Sequence, residues 1–393
     1  MRITYISTYP PIECGIATYT QYLSDAVKDA GKEVRILSQQ GAQGADCFEV
    51  YSPYDKDIAF KLFQLVEKQT PDLVHIQHEF GLFGDQRGIQ IVEFLIRCRA
   101  INTPVVVTFH TVYENLNRIE RMVTQHILNE CSAVIVHEDF QREILIKDYQ
   151  VTTPIEVIPH GVRNVQPIDG AKSILGLEEK KVVLLAGYFR ATKNFERIIK
   201  LFPKIVEREP DAVLLFAARN RINEYAEYQQ EIYQLISQSP VKDHIMVLDG
   251  KFPQYTFDAI LSAADVMTLP YVKGAQSGVL AQASALHLPV VTSDLDSFKL
   301  WIEDVGGGFY SGSDDEFVSN ILNILQDQKL RKKLQRNIQK KNLKLNWDVI
   351  AEKHLKLYGS LITSHYKEAK FFYLDERKSL VQKPKTSSFI LNQ

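Results

Sequence analysis

Four places in this chain set charged or polar side chains beside glycines where a strand-like run gives way to a helix-like one. The richest is VMTLPYVKGAQSGVLAQASALHLPVVTSD, from Val266 to Asp294. An apolar run ending at Pro270 leads into a loop holding Gly274, Gln276, Ser277 and Gly278, then a helical stretch, then the apolar run 289–292. Such a loop aims backbone N–H groups and a positive helix end at whatever lies above it, which suits a phosphate held without a metal. Gly278 and Gln282 share one helix face, so the glutamine reaches toward a ligand at the helix start, with Val279, Ala283 and Leu286 packed beside them. The second place is Gly187-Tyr188-Phe189-Arg190-Ala191-Thr192-Lys193-Asn194. Two cations where a helix begins oppose its dipole, unless a diphosphate sits between them.

The third place is residues 10–16, PPIECGI, where Gly15 lets a phosphate or sugar approach the backbone, although an ordinary turn reads the same way. The fourth joins His75, Gln77, His78 and Glu79 to Thr108 and His110, at the ends of neighbouring strands. His78, Glu79 and His110 could meet there. The order HxxHE is not the HExxH of zinc enzymes and no third ligand is evident, so no metal is expected. His75 and His78 read as satisfying backbone groups at the sheet edge, and His110 as functional. Asp294 and Asp296 make a DxD pair of the kind that arises by chance. The basic run Arg331 to Lys344 could touch anionic lipid headgroups as a peripheral membrane contact, although such runs are more often the wet face of a helix.

Positioning these groups requires alternating strands and helices. Val- and Ile-rich runs predict strands at 3–6, 33–37, 73–77, 105–109, 133–136 and 155–158, then at 182–186, 213–217, 245–248, 266–269, 290–292 and 308–310. Helical periodicity predicts helices over 17–30, 87–99, 194–207 and 347–362, among others. Strands without polar alternation belong to parallel sheets covered on both faces, so the class is α/β, doubly wound. This is too many strands for one sheet. The Pro- and Gly-rich stretch 160–171 separates two Rossmann-like domains, expected to face each other across a cleft. The division is an amino-terminal domain at 1–163, a second Rossmann-like domain at 164–345, carboxy-terminal helices at 346–377 packing back on the first domain, and a poorly ordered tail at 378–393. With 393 residues, 45% of them hydrophobic, and a net charge of -2, the chain has ample core and no global attraction for nucleic acid. Four scattered cysteines, no signal peptide and no membrane span predict a cytoplasmic protein of open oligomeric state.

These motifs, in this order, resemble the family-4 retaining glycosyltransferases of the GT-B fold. The resemblance runs through STYPP-ECG, QHEFGLFG, VVTFHT, VIPHGV, LLAGYFRATKN, DVMTLPY, QSGVLAQASALHLPVVTSD, VGGGFY and NWDVIAEKHLKLY, most of the chain. It implies transfer of a sugar from a GDP- or UDP-linked hexose, GDP-mannose and UDP-glucose both being compatible, to a saccharide or other hydroxyl acceptor with retained configuration. The donor is a substrate, and no cofactor is implied. By the same resemblance Gly15 lies near the diphosphate and sugar, His110 beside the transferred sugar, and Lys193 on the diphosphate. Arg190 would replace the family arginine, whose place after Gly187 is taken by Tyr188. Ser277, Gly278 and Val279 match the loop whose amides contact the diphosphate. The family's E-x7-E glutamates fall on Gly274 and Gln282; glutamine can still bond ribose hydroxyls, whereas glycine supplies no carboxylate. Rival expectations are a catalytically silent nucleotide-sugar binder or partner subunit of the same fold, a nucleotide-sugar epimerase, and a phosphorylase.

Overall fold

The computed structural model describes residues 1–219, 225–250, 252–274 and 277–379, with 366–379 described by backbone alone. Two compact units emerge, one of Met1–Gly161 joined by the helix from Trp347, the other of Val162–Asn346. The chain divides after Gly161 rather than after residue 163, and the return lies between Asn346 and Trp347.

The first unit holds β1 (Arg2–Ile6), β2 (Glu33–Gln39), β3 (Cys47–Tyr51), β4 (Leu73–His78), β5 (Val105–Phe109), β6 (Ala133–Val136) and β7 (Ile155–Val157). They form one parallel sheet in the order β3-β2-β1-β4-β5-β6-β7. The second unit holds β8 (Lys181–Tyr188), β9 (Ala212–Arg219), β10 (Ile245–Asp249), β11 (Val266–Leu269), β12 (Val290–Ser293) and β13 (Gly308–Ser311), in the parallel order β10-β9-β8-β11-β12-β13. Both sheets are doubly wound, and each reverses its strand order once, beside β1 in the first and beside β8 in the second. In such sheets the crevice beyond the strand ends at the reversal is where ligands bind.

Twelve of these strands match the predicted runs. The unpredicted one is the edge strand β3, whose only buried residue is Tyr51 and whose Phe48 lies exposed. Facing solvent, it lacks the continuous apolar run that marks the inner strands. Strand alternation divides the apolar residues between two layers. Ile6, Val74, Ile76 and Val107 pack on one face of the first sheet, while Ile3, Tyr5 and Val106 pack on the other. The second sheet does the same with Val183, Leu185 and Leu214 against Val182, Leu184 and Leu215. Each fully buried Ile, Leu or Val contributes about 1.5–3 kcal/mol. No helix of the described residues is long and apolar enough to cross a membrane.

The helix Trp347–Ser379 runs well beyond the predicted end at residue 362, and the tail from residue 380 lies outside the described residues. Trp347, Ile350, Ala351 and Tyr358 join Tyr5, Tyr19 and Leu23 in one buried cluster, against the helix Gly15–Asp29. Where the first unit's chain leaves for the second, the Trp347 ring lies directly on Gly161. A Cβ at Gly161 would stand 2.4 Å from Trp347 Cδ2. Gly161→Ala must therefore displace the indole, costing about 1–3 kcal/mol. Urea titration should show a lower midpoint with unchanged slope; a variant as stable as the parent would refute this contact.

Candidate active site

In the second unit the loops after β8 and β11 are laced together at the strand-order reversal. Gly187, near the end of β8, has φ +142°, a conformation that a side chain would strain. The chain then makes a three-residue 3-10 turn, Ala191–Lys193, whose Thr192 carbonyl accepts the Val272 N–H at 3.0 Å from the loop after β11. Asn194, left-handed at φ 51°, starts the helix Phe195–Arg208, so Lys193 stands just ahead of that helix. The Lys193 ammonium lies 3.5 Å from the centroid of the Tyr271 ring. Tyr271 Oη meets Ser277 Oγ at 3.2 Å, and Ser277 Oγ accepts the Leu280 N–H at 3.3 Å as cap of the helix Gly278–Ala285. First-turn amides such as those of Gly278 and Val279 have no partner within their own helix. A Cβ on Gly187 would lie 3.8 Å from Val279 Cγ2, so the two predicted motifs touch. Gln276 lies outside the described residues.

Two cations stand close together here. Arg190 is exposed, its guanidinium 5.7 Å from the Tyr225 ring. Burial first, and the charge of Arg190 second, bring the Lys193 pKa down to about 8. A third cation was not foreseen. Arg219, at the end of β9, stands in register with Tyr188, donates to Tyr188 Oη at 2.9 Å and lies 5.0 Å from its ring. The arginine absent after Gly187 thus has a counterpart on the adjacent strand. Its only signal in sequence is the position of the run ending in Arg219 one strand over.

Gln282 stands apart from this group, held by a different network. Its Oε1 accepts from Arg163 at 2.5 Å, while Arg163 makes two bonds to Asp258, at 2.6 and 3.0 Å. Gln254 donates to Asp258 at 2.8 Å. Here the carboxylate beside position 282 comes from Asp258, a residue that spacing along the chain did not single out. Gly274 contributes only its carbonyl, which accepts from Ser297 at 3.3 Å. Asp294 pairs with Lys299 at 3.7 Å, and among the described residues no three His, Cys, Asp or Glu side chains are grouped to hold a metal. Of the basic run, Lys332, Lys333, Arg336 and Lys340 are exposed on the helix Gln328–Asn342, whereas Arg331 is tucked in, 3.7 Å from Asp265 and donating to the Ile324 and Leu325 carbonyls; Leu334 and Ile338 are buried.

In the first unit Gly15 opens the helix Gly15–Asp29 with open space where a Cβ would be, so crowding does not require glycine there. One turn on, the Tyr19 ring meets the His110 ring edge-on, with centroids 4.8 Å apart. His110 Nε2 bonds Gln77 Oε1 at 2.8 Å. The expected meeting of His78, Glu79 and His110 does not form. Alternation along β4 turns His75 and Gln77 to one face and His78 to the other, among Phe80, Phe83 and Phe109. Glu79 instead accepts from Thr111. Neither histidine satisfies backbone groups at a sheet edge. His75 bonds side chains, and both His78 ring nitrogens are buried without partners among the described residues. Burial holds the pKa of His78 down to about 3; burial, then neighbouring histidines, holds His75 and His110 well below the usual value, so these rings are neutral.

Two parallel, doubly wound sheets, with cations and helix-start amides gathered at a strand-order reversal, define a nucleotide-binding GT-B architecture. Residues 14–164 match the family model described as Glycosyltransferase Family 4, and residues 169–341 match Glycosyl transferases group 1. The chain belongs to the family-4 glycosyltransferases of the GT-B fold. The phosphatidyl-myo-inositol mannosyltransferase of Mycolicibacterium smegmatis is 23% identical over 383 residues, covering 92% of this chain and 94% of that protein. The spore coat protein SA of Bacillus subtilis is 23% identical over 48% of this chain and 51% of its own length. Among solved structures, Anabaena HepE in complex with UDP-glucose matches with a TM-score of 0.71 at 14% identity, covering 92% of this chain and all of that one (100%). Sucrose-phosphate synthase from Thermosynechococcus elongatus matches with a TM-score of 0.72 at 18% identity, over 93% of this chain and 100% of that one. These structural likenesses bear on the fold.

A diphosphate beside Lys193 favours its charged form and raises its pKa above the free value near 8. Binding of UDP or GDP above pH 8 should therefore take up a proton, and affinity should fall by about tenfold per pH unit until the pKa of the complex is reached. Calorimetry in buffers of different ionisation enthalpy measures the uptake. It should vanish in Lys193→Met. Equal, pH-independent binding by both proteins would remove Lys193 from the phosphate site.

Proposed function

We propose that this chain transfers a hexose from a GDP- or UDP-linked donor to an acceptor hydroxyl with retention of configuration, using neither metal nor cofactor. The observation that carries the reading is the assembled group of Lys193, Tyr271 and the Ser277 cap, with Arg190 alongside. Two cations and a helix start in one group support this reading, because stabilising the charge gathered by a diphosphate leaving group is the largest demand of this reaction. Gly187, Gly278 and Val279 let the phosphates approach backbone, and in the first unit Gly15 and His110 are the groups assigned to the sugar.

As the bond from the anomeric carbon to the diphosphate oxygen breaks, the acceptor oxygen bonds that carbon on the same face. The acceptor proton passes to the departing phosphate oxygen. This route suits a site where no carboxylate replaces Gly274. The mycobacterial relatives are mannosyltransferases and HepE was solved with UDP-glucose, so mannose and glucose nucleotides are the donors to try first. The four cysteines are all free, in keeping with a cytoplasmic setting.

A second reading, a donor-binding protein without turnover, is favoured by Gly274 and by Gln282, whose carbonyl Arg163 already occupies. Kinetics separate the two. Lys193→Ala and Arg190→Ala should each lower kcat by about 10²–10³-fold with a smaller change in KM, and NMR of the product should show the donor's anomeric configuration. Near-parental kinetics in both variants would remove the diphosphate assignment. Stabilisation by UDP or GDP with no turnover of any donor would favour the second reading.

A further inference from the structure

An unbroken line of side-chain hydrogen bonds connects His110 to the helix Trp347–Ser379 within the first unit. His110 Nε2 faces Gln77 Oε1 at 2.8 Å, and Gln77 Nε2 faces His75 Nε2 at 3.2 Å. His75 Nδ1 meets Tyr358 Oη at 2.5 Å, and Tyr358 Oη lies 3.4 Å from Tyr5 Oη. Thr108 Oγ1 also reaches His75 Nε2, at 2.7 Å. Gln77, His75, Tyr358 and Tyr5 are all buried, so each bond made or lost here counts without relief from water.

Donors and acceptors along this line must match end to end. An amide oxygen only accepts, so the proton of His110 lies on Nε2. The amide nitrogen of Gln77 only donates, so His75 Nε2 bears the lone pair and His75 carries its proton on Nδ1. That proton is given to Tyr358 Oη, which can pass its own to Tyr5. His110 Nδ1 then remains as an acceptor with no partner among the described residues, on a half-buried ring. We propose that Gln77, His75 and Tyr358 are positioning residues that hold His110 in its Nε2–H form, so that Nδ1 accepts a hydroxyl of the transferred sugar. The assignment rests on the reading of His110 as a sugar-side group, whereas the proton ordering does not.

Three features make the line a relay rather than a set of local contacts. Gln77 is an amide and not a carboxylate, so neither histidine gains a counter-charge and both stay neutral. The two rings do not touch through a direct bond, and their tautomers are coupled only because one amide has unlike ends. The last member, Tyr358, comes from a helix that meets β4 across 283 residues of chain, so packing of that helix sets the proton position on His110.

Tyr358→Phe tests this with no change of shape. The buried His75 Nδ1–H loses its acceptor, and moving the proton to Nε2 gives it one again in Thr108 Oγ1, whose hydroxyl turns from donor to acceptor. Two donors would then face each other between His75 and Gln77, so the amide turns over and donates to His110 Nε2. His110 must shift to the Nδ1–H form. Two-bond ¹H–¹⁵N spectra of histidine-labelled protein read each ring directly and need no substrate. The expected result is Nε2–H at His110 in the parent and Nδ1–H in Tyr358→Phe. A second variant guards against local disruption. Gln77→Glu accepts from both rings, so Gln77→Glu combined with Tyr358→Phe should keep His110 as Nε2–H. In parallel, hydrolysis of UDP-glucose and GDP-mannose should show kcat about tenfold lower in Tyr358→Phe with KM unchanged. A tautomer switch in a protein that hydrolyses neither donor would support the relay while counting against the transferase reading. His110 remaining Nε2–H in Tyr358→Phe would overturn the relay, whatever the kinetics.

Discussion

A strand with apolar side chains on both faces is stable only as the middle layer of three, and this one constraint arranges everything else in the molecule. Helices must cover each face, every strand must run parallel to its neighbour, and the chain must leave each strand at the same edge of the sheet. Groups far apart in sequence are thereby delivered to one line of loops. At the reversal beside β8, the loops after β8 and β11 meet, bringing Lys193 to Tyr271 and Gly187 to Val279. One strand over from the reversal in the first sheet, β4 and β5 bring Gln77 to His110.

Both assemblies hold polar groups under conditions that suppress their charge. Lys193 lies against an aromatic face beside another cation, and several histidines of the first unit are neutral through burial. Neither arrangement is what stability alone would select. A lysine whose pKa has fallen is one whose charged form lacks a partner, and a ligand carrying negative charge supplies it. The neutral imidazole of His110, by contrast, offers hydrogen bonding without charge, which suits a sugar hydroxyl better than a phosphate. The two groups therefore differ in chemical character, one cationic and the other neutral.

Much of this was legible in the residue order. Twelve strands, the glycine near the end of β8, Lys193 and the Ser277 cap all carry local signals: an apolar run, a residue tolerant of unusual backbone angles, a cation against a helix dipole, a capping side chain. What escaped depended mostly on distance along the chain. The edge strand β3 is a short apolar run broken by Glu49, with no local signal to set it apart from a loop. Arg219 reaches Tyr188 through strand register, and Arg163 reaches Gln282 across 119 residues. The bond from Tyr358 to His75 exists only because a helix near the end of the chain lies against the first sheet. The histidines of β4 were misread for a related reason. Alternation sends His75 and His78 to opposite faces, and a motif read as a string does not show that.

The account turns on whether the group around Lys193 is a diphosphate site. Comparing the affinities of UDP and GDP with those of UMP and GMP, in the parent and in Lys193→Ala, addresses this most directly. The account predicts that the diphosphates bind at least about tenfold more tightly than the monophosphates, and that the substitution removes most of that difference. Equal affinity for mono- and diphosphates in the parent, or a preference untouched by Lys193→Ala, would contradict it.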